Sequence, residues 1–449
     1  MSSLSTIAYS GRFTLALAGL LLAVAAHADA PPVKRAADAL VAEALESSLG
    51  LAANAAAVEQ QQAALDAVRA AYLPQLDLQL RYSEADGGRT IEIPALGLDF
   101  RFLREREQDS VLRLTQPLYD ARLAALRQGA AHGYDAARHG LAAYRARLER
   151  DVRQAYYRWL ASREAIGVLE ATAALARENE RVNESLHRNG KVTRDLLLRA
   201  EAERLQVEQQ LLRARATESL ARRYLNLLCN APLEREPEAA AVSDADLPLL
   251  AAGIPAREGA KLEHAALGSR AELRQLDSGL AAAGASERAA RAAFRPQLAL
   301  AVDAGTQGAD WSYDDHDPYV IASLVVRFNL FNGGGDRAAL RGARARSAEL
   351  AAGRALAEQR IRIEVQEALT DLEVAEASLA TAGRRVEAAT AAYAIVAKKR
   401  DLGQVSPAEY LDAQRTLTEA RLNGNVTRYE ALSALAQVEY AIGSTEQQP

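Results

Sequence analysis

The chain has 449 residues, 49% of them hydrophobic, 5% aromatic and 25% charged, with 27 Gly, 13 Pro and alanine at about a fifth of all positions. That balance favours helices and excludes collagen-like, mucin-like and wholly disordered chains. The net charge of −5 comes without a basic tract that could track a phosphate backbone, which speaks against a nucleic-acid partner; the single Cys229 and single Met1 leave no internal disulfide and no thioether copper site.

The first 28 residues read as an export leader. Arg12 precedes an apolar run from Phe13 to Ala26, and Ala26-His27-Ala28 supplies small residues at a cleavage point. The run is too short to span a bilayer comfortably, and no later stretch reaches ~18 consecutive apolar residues. The mature chain therefore leaves the cytoplasm without a membrane helix. It is expected either to be soluble beyond the inner membrane or to cross an outer membrane by strands.

Beyond the leader the chain repeats. Tyr72-Leu73-Pro74-Gln75-Leu76 returns as Phe294-Arg295-Pro296-Gln297-Leu298, Leu118-Tyr119-Asp120 as Leu330-Phe331-Asn332, and Gly190-Lys191-Val192-Thr193 as Gly403-Gln404-Val405-Ser406. Three landmarks in one order define two copies, 29–230 and 257–449. The stretch 231–256, with Pro232, Pro237, Pro248 and Pro255 among acidic residues, reads as an irregular linker.

Each copy opens with an Ala-rich helix, Val33 to Ala71 and Arg257 to Ala293, stopped by the following proline. Alternation then predicts two strands. Leu76, Leu78, Leu80 and Tyr82 share one face, as do Leu112 and Leu114, then Leu298, Leu300 and Val302, then Ala322, Leu324 and Val326. After the second strand, Ala121 to Arg188 and Asp336 to Asp401 run more than sixty residues without proline. Val365, Leu372, Leu379, Val386 and Tyr393 recur every seven residues with Ala368, Ala375, Ala382 and Ala389 three places on, a close-packing helical seam. Val152, Trp159, Ile166 and Ala173 give the earlier copy its counterpart. Gly190 and Gly403 end these helices, and Thr193 or Ser406 is expected to cap the next, with Pro407 and Glu409 reinforcing the second. The expected class is mainly α, with four strands and long antiparallel helical hairpins in each chain.

Four strands with one apolar face cannot close in lipid, where unsatisfied backbone groups cost several kcal/mol each. Three chains would supply twelve strands, within the range of outer-membrane barrels, and the hairpins would continue the cylinder. The leader, the duplicated order of helix, strand, strand, long helix, turn and helix, the Leu-Pro-Gln-Leu and Arg-Pro-Gln-Leu junctions and the Gly-x-Val-Ser/Thr turns resemble the TolC family of outer-membrane efflux proteins. The resemblance implies a homotrimer, a twelve-stranded transmembrane barrel in the outer membrane of a Gram-negative cell, and an α-helical barrel in the periplasm. It also implies docking on a periplasmic membrane-fusion adaptor and an inner-membrane pump of resistance-nodulation-division or ABC type. Substrate would pass outward through the lumen, with no enzyme activity and no cofactor.

The same resemblance places an acidic pair of the periplasmic gate on Glu409 and Asp412. Positions three apart share a helix face, so a trimer could present two carboxylate rings favouring cations; the plainer alternative is a helix cap and a solvated side chain. The family's basic gate residue and its acidic partner fall here on Val405 and Leu196, so that lock does not carry over. Adaptor docking is expected at the tips, on Gly190, Lys191, Val192, Gly403, Gln404 and Val405.

Other signals are weaker. Gly333-Gly334-Gly335 lacks the Lys-Ser/Thr of a phosphate loop and reads as a hinge. His132 and His139 lie seven apart, too far for one metal, and read as exposed; Asp314-Asp315-His316-Asp317 reads as a solvated loop that could also hold a cation. The competing function is a periplasmic coiled-coil scaffold without a pore.

Overall fold

The computed structural model describes residues 31–86, 90–93, 97–101, 106–244, 246–251, 258–308 and 318–443. The leader, part of the linker and the Asp314–Asp317 loop lie outside them. In chain order the elements are α1 (Pro32–Ser47), α2 (Leu49–Ala70), β1 (Gln75–Glu84), β2 (Thr90–Ile93), β3 (Leu98–Arg101), β4 (Arg106–Tyr119), α3 (Ala121–Arg188), α4 (Arg194–Leu228), α5 (Asp246–Ala251), α6 (Gly259–Ser269), α7 (Ala271–Ala292), β5 (Gln297–Gly308), β6 (Pro318–Arg327), α8 (Gly335–Asp401) and α9 (Pro407–Ala441). No described helix is long and apolar enough to cross a membrane.

Among the described residues, two compact units cut across the sequence repeat, each drawing on both copies: one holds those within 1–53, 142–270 and 358–449, the other those within 54–141 and 271–357. The second unit contains the sheet. Its order is β1-β4-β5-β6, antiparallel throughout, so β4 and β5 join the two copies. Register puts Leu78 opposite Leu112, Leu112 opposite Ala304, and Leu300 opposite Leu324. Because side chains alternate at period two, the even-numbered positions of all four strands form one face. That face is apolar and bare apart from the buried Gln108 and Ser110 and the half-buried Gln116 of β4: Leu76, Leu78, Leu80, Val320, Leu324 and Val326 are each more than half exposed. The opposite face mixes polar residues with the exposed Ile321 and Val325, and on it Arg113 donates Nε and Nη2 to the two carboxylate oxygens of its cross-strand partner Asp303, both at 2.7 Å. Among the described residues, β1 and β6 each have one edge without a strand neighbour.

The sequence predicts four strands, and the structure adds the short antiparallel hairpin β2–β3, turned at Gly97 with φ +63°. The two Ala-rich helices also differ from expectation, each broken by a single extended residue. Ser48 (φ −60°, ψ 122°) and Arg270 (φ −63°, ψ 121°) occupy equivalent places in the copies, and each still donates its N–H to the residue four back, at 2.9 Å. Packing holds the second break. The Arg270 guanidinium is buried, pairing with Glu364 at 3.1 Å, donating to the Ala441 carbonyl at 3.2 Å and lying 4.4 Å from the Tyr440 ring centroid.

The linker is more ordered than its composition suggests. It contains α5 and straps onto the first unit's helices: Arg235 pairs with Glu43, Arg163 with Glu236, Arg428 with Asp244, and the Tyr156 hydroxyl donates to the Glu238 carbonyl at 3.0 Å. Between β6 and α8, Gly333 (φ +68°) and Gly334 (φ +88°) make a left-handed turn that a side chain would strain.

Candidate functional site

Within the first unit the long helices lie side by side in the order α4, α3, α9, α8. Leu169 and Ala173 of α3 bury against Val207 and Leu211 of α4. Ala389 of α8 packs on Leu417 and Ala420 of α9, with Val386 and Tyr393 at the rim. The predicted alanine seam is therefore inside, with Val365 and Leu372 fully buried. Alanine on one side of a seam lets backbones approach, as the heptad pattern requires. The junction between the hairpins is more polar. Thr172 Oγ1 meets Thr418 Oγ1 at 3.1 Å, Asn425 donates to the Ala161 carbonyl at 2.7 Å, and the Tyr429 hydroxyl donates to Glu164 at 2.7 Å.

Both hairpin tips are built alike. Gly190 (φ +67°) and Gly403 (φ +70°) terminate α3 and α8 in the left-handed region. Around them the N–H of Lys191 bonds the Leu186 carbonyl and that of Gln404 the Lys399 carbonyl, both at 2.9 Å, the six-to-one bond of a Schellman motif. Gly190, Lys191, Gly403 and Gln404 are exposed, while Val192 and Val405 are half-buried. The caps differ. Ser406 Oγ accepts from the Glu409 N–H at 3.2 Å, as expected, but the Thr193 side chain caps no backbone N–H. Asp195 competes for that hydroxyl, and their hydrogen bond is the main cause holding the Asp195 carboxyl below its usual range.

Glu409 and Asp412 are both exposed on the first turns of α9, and neither makes an ion pair among the described residues. Val405 and Leu196 are half-buried, and neither side chain can form a charged lock.

Sequence reasoning missed what holds the second tip. Tyr393 and Tyr410 meet hydroxyl to hydroxyl at 2.9 Å, with ring centroids 5.8 Å apart, and the Arg400 guanidinium lies 4.0 Å from the Tyr410 centroid. Burial, then the bond to Tyr410, push the Tyr393 phenol well above its ordinary range. Arg400 also reaches the other hairpin electrostatically: the Glu178 carboxyl is lowered first by its bond to Arg181 and further by Arg400. The only sequence signal was two tyrosines and an arginine near a turn.

The minor motifs resolve simply. Cys229 is buried, its thiol pushed up to about 11 by burial, with Sγ 3.7 Å from the Leu40 carbonyl oxygen. His132 and His139 are half-buried rather than exposed, and no metal-ligand cluster occurs among the described residues.

The family model described as outer membrane efflux protein matches residues 40–230 and 262–444, most of the chain and both copies. The chain belongs to that family. It is 25% identical over 425 residues to the pyoverdine export outer membrane protein OpmQ of Pseudomonas putida, covering 88% of this chain and 85% of that one. Its fold matches the Campylobacter jejuni CmeC outer membrane channel (TM-score 0.80, 19% identity, 91% of this chain and 86% of that one). It also matches the Vibrio cholerae outer membrane protein VceC (TM-score 0.76, 19% identity, 91% and 96%). The protein is thus an outer-membrane efflux channel, mainly helical with an antiparallel strand segment, and its helical part is periplasmic. The family is one of channels rather than enzymes, works in tripartite pump systems, and sets aside the soluble scaffold.

Proposed function

We propose that three copies of the mature chain, after loss of residues 1–28, assemble into a passive duct of twelve strands continued by a helical barrel. The observation that carries the reading is the four-stranded sheet with two open edges and one bare apolar face. Such a sheet in lipid leaves backbone donors and acceptors unsatisfied unless neighbouring copies complete it. The two structural repeats, 29–230 and 257–449 about the linker 231–256, each supply one strand pair and one helical hairpin; the two-segment family match supports this division.

At the periplasmic end, Gly190, Lys191, Val192, Gly403, Gln404 and Val405 are the docking tips for a membrane-fusion adaptor, which links the duct to a pump of resistance-nodulation-division or ABC type. Their matching Schellman turns support a shared role. Glu409 and Asp412 form the cation-favouring gate, supported by their common exposure on one turn of α9. The pyoverdine exporter among its relatives favours a small-molecule cargo over a protein.

Light scattering of the detergent-solubilised protein, with planar-bilayer conductance, tests the duct. Trimeric mass and open-pore conductance once the tips are loosened are expected. A monomer that needs no detergent would refute it.

A further inference from the structure

The four long helices of the first unit share a groove of about 1110 Å³. That is at the upper end of the roughly 300–1,000 Å³ typical of small-molecule sites. Every helix gives alanine to its floor: Ala155 and Ala161 of α3, Ala214 of α4, Ala375 of α8 and Ala434 of α9. Alanine leaves space that a longer side chain would fill. Leu220 of α4 and Val374 of α8, from the two ends of the helix row, stand at its sides. Four helices in a row can line one groove only if the row bends around it, so the groove marks the concave surface.

The other surface of the same helices carries the linker strap. Tyr156 and Arg163 of α3 and Arg428 of α9 hold Glu238, Glu236 and Asp244. At 3.6 residues per turn these three lie about 140–160° around their helices from Arg158 and Glu430, which line the groove. In a tube built from such layers the concave surface lines the bore and the strap lies outside.

Charge separates the two surfaces. On the strapped side Arg163 pairs with Glu236 at 2.5 Å and Arg428 with Asp244 at 2.6 Å. In the groove Arg158, Asp371 and Glu430 are exposed, and none of the three makes an ion pair or hydrogen bond among the described residues. Each copy thus turns two free carboxylates and one free guanidinium toward an apolar floor. Tyr224 and Val426, 50% and 45% exposed, add an aromatic and an aliphatic surface beside them.

That combination favours a ligand with two features. A positive group is drawn by the surplus carboxylate and by the aromatic ring, and an apolar body leaves water on the alanine floor. An anion of the same shape meets surplus negative charge, and a small hydrated cation gains nothing from the floor.

We propose that the groove is a cargo-contact site on the wall of the bore, and that it takes amphipathic organic cations. This rests on the duct proposed above and names the class of cargo its helical part favours.

The test uses the full-length trimer in lipid nanodiscs with Cys229→Ala and one new cysteine, Val426→Cys in the groove or Ala239→Cys on the strap. Labelling by N-ethylmaleimide is timed against increasing tetrapentylammonium, tetramethylammonium or hexanesulfonate. Tetrapentylammonium should slow Val426→Cys saturably, by about threefold at twice its dissociation constant. It should leave Ala239→Cys unchanged and lose its effect when Asp371→Asn and Glu430→Gln are combined; the other two ions should protect far less. Trimeric mass by light scattering with no slowing, equal slowing by hexanesulfonate, or slowing that survives the double substitution would overturn the site and leave the duct standing. A Val426→Cys that reacts only after the trimer is dissociated would mean that the groove faces a neighbouring copy, which also overturns it. Monomeric mass would refute the duct itself.

Discussion

Replacing Tyr410 by phenylalanine removes one of two hydroxyls that meet at 2.9 Å beneath the tip of the second hairpin. Tyr410 is 3% exposed and Tyr393 half-buried, so each single variant leaves its partner's hydroxyl short of a bond in a poorly hydrated place. A net hydrogen bond contributes about 0.5–1.5 kcal/mol, and a stranded polar group costs about 1–3 kcal/mol. Because Tyr393 keeps some solvent, about 1 kcal/mol is expected for Tyr410→Phe, roughly a fivefold rise in local opening. Tyr393→Phe should cost slightly more, since the hydroxyl it strands is the more deeply buried. In the double variant neither hydroxyl remains, and the ring stack and the Arg400 contact persist, so its cost should fall below the sum by about 1 kcal/mol. Amide hydrogen exchange around Ala389 and Leu417 in detergent-solubilised protein measures this opening directly. Costs that add within ~0.3 kcal/mol would mean that the hydroxyls do not hold the tip.

The phenol of Tyr393 is raised in the folded state, so its contribution is intact below the ordinary tyrosine pKa of 10 and is lost as pH climbs above it. Exchange at the second tip should accelerate above about pH 10, and Tyr393→Phe should flatten that rise; an unchanged profile would contradict the assignment. Gly403→Ala and Gly190→Ala should each destabilise their turn by roughly 1–2 kcal/mol, because the cost is conformational and no atom lies within 4 Å of the added Cβ. Protease nicking at the tips should increase severalfold for both variants, and an effect confined to one would argue against equivalent turns. Converting both Glu409 and Asp412 to alanine should lower cation preference severalfold in salt-gradient reversal potentials, and unchanged potentials would remove these residues from the gate.

Much of this was legible because period and punctuation agree. Pro74 and Pro296 stop helices, Leu76 to Tyr82 alternate, and Gly190 and Gly403 sit where left-handed backbone is needed. What stayed hidden depends on distant partners. Nothing in Ser48 or Arg270 breaks a helix locally; the second break is held by Glu364 and Ala441, some ninety and one hundred and seventy residues away. The β2–β3 hairpin was readable from Thr90-Ile91-Glu92-Ile93 and Gly97 but is only four residues a side. Leu198, Leu205 and Leu212 are as plainly heptad-spaced as Val365, Leu372 and Leu379. Spacing reveals a seam without saying whether its complement lies in the same chain.

The strand order carries a last consequence. Directions alternate from β1 through β6, so the two outermost strands of one sheet point oppositely and a copy set beside it continues the alternation without a break. Polarity is consequently satisfied for a ring of any size. The number of subunits must come from how sharply each bends away from its neighbour, which makes curvature, rather than hydrogen-bond parity, the determinant of bore width.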